Sequence, residues 1–152
     1  MAISADTVKV LRDQTGVSVM ECKKALEEAG GDMEKAIAIL GARAASIAAK
    51  KADRALGAGV VASYVHGNAQ MGAMIVLSCE TDFVAKNDEF TRLAYDIAMH
   101  ATAMQPKDVE ELMGQAFIKD PQKTIASLCS SATQKFGERV EVSSVVFLSV
   151  RP

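Results

Sequence analysis

The sequence predicts an α+β protein: an N-terminal three-helix module, a helical linker, and a small antiparallel three-stranded sheet packed with helices. Three observations carry this. The first third holds three short runs of helical periodicity bounded by capping residues and glycines. Two β-type runs, Val60 to His66 and Gly72 to Cys79, flank Gly67-Asn68, a hairpin signal. A last β-type run, Val140 to Val150, follows two amphipathic helical segments. A hairpin between the first two strands excludes a wound parallel sheet. The expected divisions are residues 1–42 for the head, 43–58 for the linker and 59–152 for the core.

In the head, Ser4 or Asp6 can open the first helix, and Gly16 ends it. Ser18 and Glu21 have the spacing of a capping box at the second helix, whose Cys22, Ala25, Leu26 and Ala29 share a face. Gly30-Gly31 stop that helix. Asp32 can cap the third, with Met33, Ala36, Ile37 and Leu40 on its apolar face. The linker is rich in alanine and carries Arg43, Lys50, Lys51 and Arg54 until Gly57 and Gly59 break it. It reads either as a solvated basic face or as an RNA-binding strip. In the core, Asn87-Asp88-Glu89 mark a helix start. Phe90, Leu93, Ala94, Ile97, Ala98, Ala101 and Met104 follow at helical spacing, and Pro106 closes the run. A short helix is expected around Val109–Met113. Asp120-Pro121 then predicts a cap and first turn, with Ile125, Leu128, Ala132 and Phe136 lining the helix to Gly137.

Composition narrows the function. Of 152 residues, 49% are hydrophobic and 24% charged, ordinary for a globular chain, and the net charge of −2 points to neither nucleic acid nor membrane. The opening MAISADTVKV lacks the basic and apolar regions of a secretory signal. Cys22, Cys79 and Cys129 are odd in number and lack CxxC spacing, which argues against a disulfide framework or zinc site and for a reducing cytoplasm. Phosphate-loop, dinucleotide and nucleophile-elbow motifs are missing. Neither His66 nor His100 has a partner at metal spacing. Cys79-Glu80 can be drawn as a nucleophile beside a base, but a thiol ending an apolar strand reads as packing. No catalytic residue, metal or cofactor is expected.

Asp82-Phe83 stands out, because it sets a large ring beside a carboxylate in a strand-to-helix connection. Either Asp82 caps a turn while Phe83 packs inward, or Phe83 is an aromatic anchor for a partner.

Here the ordered motifs matter. "LRDQTGVSVMECKKALEEAGGDMEKAI", then "AAKKADR", then "ETDFVAKND", then "KTIASLCSSATQKFGERVEV" together cover nearly the whole chain. The set resembles the bacterial translation elongation factor Ts family. The resemblance implies a ubiquitin-associated-like head and a guanine-nucleotide exchange factor for elongation factor Tu, acting on its GDP-bound and nucleotide-free forms. Thr81, Asp82, Phe83 and Val84 match the segment that intrudes beside the nucleotide and dislodges Mg²⁺. Val10, Leu11, Arg12, Thr15 and Gly16 match the stretch that docks the head on Tu. Gly16-Val17-Ser18-Val19-Met20 departs from the family's Gly-Ala-Gly-Met-Met. The segment between Met104 and Asp120 is short, where longer relatives carry a helical insertion and often a second core. Direct nucleic-acid binding is not implied. An RNA-binding protein using the basic linker is the rival, and a ubiquitin-type adaptor resting on the head alone ignores the core.

The last strand carries one further expectation. Alternation puts Val140, Val142, Val146, Leu148 and Val150 on one face and Val145 and Phe147 on the other. A strand apolar on both sides, with helices enough for one face, predicts a homodimer through the sheet, unless the linker helix folds over the open face.

Overall fold

Side-chain caps decide where the helices begin in the computed structural model, which describes residues 2–151. Ser4, not Asp6, caps α1 (Ala5–Thr15), accepting from the Thr7 N–H at 3.1 Å. Gly16 closes α1 at φ 70°, a conformation open to a residue without Cβ. Ser18 caps α2 (Val19–Glu28) by accepting from the Glu21 N–H at 3.3 Å. Glu21 turns its carboxylate to Arg43, 3.0 Å away, so the expected box closes on one side only. Asp32 caps α3 (Met33–Lys50) through the Lys35 N–H at 3.0 Å. Val8, Leu11, Cys22, Ala25, Leu26, Ala36 and Leu40 fill the space between these helices.

The third helix does not break at the expected head–linker division after residue 42. α3 runs unbroken for 18 residues from the head into the stretch read as linker. Its alanines favour helix, and they are small enough for close packing along α7 (Ile125–Phe136), where Ala44 is buried. Beyond its end, Lys51 Nζ donates to the Gly137 carbonyl at 2.8 Å. This stretch therefore joins head to core on the helical side and leaves the other sheet face open.

The sheet has the order β1-β2-β5, all antiparallel, with β1 at Ala58–Val65, β2 at Met71–Cys79 and β5 at Glu141–Ser149. The β1–β2 connection is wider than a two-residue Gly67-Asn68 turn. His66 N–H donates to the Met71 carbonyl at 2.9 Å, Ala69 sits at φ 61°, and Asn68 Oδ1 accepts from the Gln70 N–H. One sheet face packs on helices. Ala73, Ile75, Leu77 and Cys79 are buried against Phe90, Ala94, Ile97, Ala98 and Ala101 of α5 (Asp88–Met104) and Ile125, Cys129 and Ala132 of α7. Burying each large apolar side chain contributes roughly 1.5–3 kcal/mol.

Strict alternation fails along β5. Leu77 pairs with Val142 but Val76 pairs with Ser144, so Ser143 is an extra residue. Its hydroxyl meets that of Ser78 at 2.6 Å. Such a bulge reverses which residues face inward beyond it. Val140 and Val142 are buried, Val145 and Phe147 pack on the core, and Val146, Leu148 and Val150 point outward. The face assigned to these valines by alternation is thus split in two.

α6 (Val109–Gly114) forms where expected, but Asp120-Pro121 does not start a helix. Asp120–Thr124 is β4, paired with β3 (Ala116–Phe117) in a small hairpin. The helix begins at Ile125 because Thr124 and Ser127 form a reciprocal capping box. That box satisfies two helix-end groups, whereas Asp120 closes only a local turn onto the Gln122 N–H.

Fully buried His100 pins the hairpin region to α5. Its Nδ1 accepts from the Ile118 N–H at 3.1 Å, so Nε2 carries the proton and donates to Gln115 Oε1 at 2.9 Å. Burial holds its pKa below the ordinary imidazole value, partly offset by Gln115. The neutral form is favoured in the fold, so this contribution is complete above about pH 6.5 and is lost as pH falls through the lower folded pKa. Thermal melts between pH 7.5 and 5 should show stability declining with acid, and His100→Gln should flatten that part of the slope.

Candidate functional site

The Asp82-Phe83 connection is a single helical turn, α4 (Asp82–Ala85). Central strand β2 delivers the chain to it at Cys79, and α5 leaves from it at its Asn87 cap. Successive residues on a helix point about 100° apart, and that angle divides the turn. Val84 and Ala85 are buried in the core cluster. Phe83 is 88% exposed. The reading in which Phe83 packs inward is therefore overturned, since Val84 occupies the inward direction. Asp82 and Thr81 are exposed beside the ring.

Thr81 occupies the cap position, yet its side chain makes no cap bond to the turn. Its hydroxyl donates to Glu138 Oε2 at 2.6 Å. Glu138 Oε1 accepts from the backbone N–H groups of Glu80 and Thr81 at 3.1 and 2.9 Å. Glu80 answers in the other direction: its Oε2 accepts from the Arg139 N–H at 2.6 Å. These partners are 57 to 59 positions apart, so no local pattern announces them. The available signal was a charged Gly-Glu-Arg turn following a helix and leading into the strand beside β2.

The thiol reading of Cys79-Glu80 fails on geometry. Cys79 is fully buried, and its Sγ lies 3.2 Å from the Thr81 carbonyl. Burial raises its pKa, and the carboxylates of Glu138 and Asp82 push it further from thiolate. Cys129 is buried too, and its thiol is pushed up to about 12. Among the described residues, no three or more His, Cys, Asp or Glu side chains gather as a metal site.

The head stretch is only partly presented. Val10 and Arg12 are exposed, but Leu11 is core and Thr15 turns its hydroxyl to the Leu11 carbonyl at 2.7 Å. Gly16 abuts the core: a Cβ there would lie 3.7 Å from Lys135 Nζ. Lys135 pairs with Glu89 in the first turn of α5, and this hydrogen bond and charge lower the Glu89 pKa. The basic stretch is also engaged within the chain. Arg43 pairs with Glu21 and Glu28, Arg54 lies 3.4 Å from Glu80, and Lys51 holds the Gly137 carbonyl. Among the described residues, no helix is long and apolar enough to cross a membrane.

A family model described as Elongation factor TS matches residues 80–151. The chain is similar to Elongation factor Ts of Thermotoga maritima, 43% identical over 152 aligned positions, 91% of this chain and 76% of the relative. The protein of that name from Thermosipho melanesiensis is 57% identical over 108 positions, covering 71% of this chain and 55% of its own length. That from Thermodesulfovibrio yellowstonii is 37% identical, covering 99% of this chain and 97% of its own. The last alignment spans 194 positions against the 152 residues here, so the relative carries extra residues inside the matched region.

Neighbouring side chains on α4 should separate cleanly in stability. Phe83→Ala should change unfolding free energy by less than about 0.5 kcal/mol, as expected for an exposed position. Val84→Ala should cost about 1–2 kcal/mol through lost burial and a cavity. Urea titrations of the two variants against the parent chain check this.

Proposed function

The chain belongs to the elongation factor Ts family, and from that premise we propose that it is a guanine-nucleotide exchange factor for elongation factor Tu. It acts in the cytoplasm on the GDP-bound and nucleotide-free forms, and makes or breaks no covalent bond. The observation that carries this reading is the 88% exposed Phe83 ring on a turn otherwise anchored in the core. An aromatic side chain held in this way is suited to fill a desolvated pocket in a partner. Phe83, with Asp82 beside it, enters the nucleotide domain of Tu near Mg²⁺, and Thr81 and Val84 hold the turn.

The physical account is one of differential binding. Mg²⁺ bridges GDP phosphate oxygens to the GTPase and neutralises their charge. A Tu conformation that accepts the ring cannot hold Mg²⁺, so it binds GDP less well. By linkage, GDP weakens the binding of this protein equally. The head is a ubiquitin-associated-like module at residues 1–42 that docks on Tu through Val10, Arg12 and Gly16, with Leu11 and Thr15 supporting that surface from within. The 43–58 stretch joins it to the exchange core at 59–152. Pairing of Arg43, Lys51 and Arg54 within the chain favours this reading over an RNA-binding linker.

A second copy of the chain covers the open sheet face. Val61, Val65, Met74, Val146, Leu148 and Val150 are all exposed large hydrophobics. Part of this surface lines a groove of about 500 Å³. Scattered exposed apolar residues are ordinary, but a contiguous face of them marks an interface, and a two-fold contact closes it symmetrically.

Release of fluorescent GDP from the matching Tu, followed at rising concentrations of this protein, tests the exchange reading. Phe83→Ala should lower the maximal release rate roughly tenfold, the scale of a hot-spot anchor. Asp82→Ala should lower it less. Val10→Asp combined with Arg12→Glu should raise the half-saturating concentration and leave the maximal rate within about twofold. Release by Phe83→Ala at the parental rate would refute the aromatic anchor.

Sedimentation equilibrium at micromolar protein tests the pairing. The expected species has twice the 16.1 kDa chain mass, and Leu148→Asp should split it without unfolding. A species that stays at the chain mass as concentration rises rules out the dimer.

A further inference from the structure

Resting on the exchange reading above, we propose that Glu138 is a positioning residue for exchange: it holds the start of α4 so that Phe83 projects at a fixed angle from the core. Three features lead there. α4 has only four residues and its cap residue gives it no side-chain bond, so the turn has little means of fixing its own direction. Glu138 supplies that restraint from outside, accepting from two successive backbone N–H groups and from the Thr81 hydroxyl. Hydrogen bonds to an ionised carboxylate are short and stronger than neutral ones.

The third feature is reciprocity. Glu80 returns a bond to the Arg139 N–H, so each glutamate side chain binds the backbone of the other's segment. The register between β2 and β5 runs out at Ser78 and Glu141. Just past that point, where the strands part, the two carboxylates continue the cross-link. The base of the turn is therefore tied on both sides although neither segment remains paired as a strand. Glu138 is part-buried below the turn, while Phe83 is the exposed group. Its role is to act through the direction of that ring.

The test is a double-mutant cycle on the full chain, using fluorescent-GDP release from the matching Tu. Glu138→Ala should lower the maximal rate roughly tenfold, the order of effect expected when a partner of several hydrogen bonds is removed. The half-saturating concentration should change less than about twofold, since the head contacts are untouched. Glu138→Gln keeps an oxygen for the two N–H groups and should retain most of the rate. Added to Phe83→Ala, Glu138→Ala should slow release no further, because it acts only through the ring. If Glu138→Ala does not fold, Glu138→Asp replaces it in the cycle, keeping the charge but one methylene too short, and it must slow release in the same way. A parental maximal rate in the folded alanine or aspartate variant overturns the positioning role and leaves the exchange reading standing. Multiplying effects in the double variant overturn it too. If Phe83→Ala itself releases GDP at the parental rate, the anchor reading falls and this proposal with it.

Discussion

The placement of β2 governs the rest of the core. It is the one strand of the main sheet paired on both sides, and four of its alternating residues are buried against the helices. Slipping it by one position would turn Ala73, Ile75, Leu77 and Cys79 outward together. The cost of that slip fixes where the strand ends. The end of the strand fixes where the exposed ring begins, because only Glu80 and Thr81 separate Cys79 from α4. A position useful to a partner is thus inherited from the burial of side chains that no partner meets.

Stability and presentation are assigned to adjacent residues. Val84 and Ala85 anchor the turn, and Phe90, fully buried one helix later, meets Phe136 edge to face with centroids 6.0 Å apart. Such aromatic pairs add about 0.5–1.5 kcal/mol beyond the area they bury. Phe83 contributes nothing comparable to the core. An exposed ring is tolerable here because the neighbouring residues hold the turn without it.

The helices, the hairpin order and the exposed segment were legible because each rests on local chemistry. Ser18, Asp32 and Asn87 accept from backbone N–H groups two or three residues on, as their positions in the sequence suggest. What was misread depended on distant partners. The β5 faces were drawn by alternation, and a pairing offset against Val76 and Leu77 undid it at Ser143. Asp120-Pro121 has the composition of a helix start, but the pairing of Ala116 with Thr124 drew that segment into a strand. The third helix and the helical linker were drawn as two segments divided at residue 42, while packing on α7 carries a single helix through to Lys50. At the site, Phe83 and Asp82 were visible as an odd pair. The support from Glu138 was not, since it lies across the chain.

The unbroken α3 makes one continuous rod between head and core rather than a loose tether. Eighteen helical residues span about 27 Å. One half is gripped by the head core at Ala36 and Leu40, and the other lies along α7. Just past its far end, Lys51 grips the carbonyl of Gly137, the residue preceding Glu138. The helix thus runs from the head core to within one hydrogen bond of the residue that precedes the support of the exposed ring. Head and ring are connected through one continuous helix and one hydrogen bond to the residue beside Glu138.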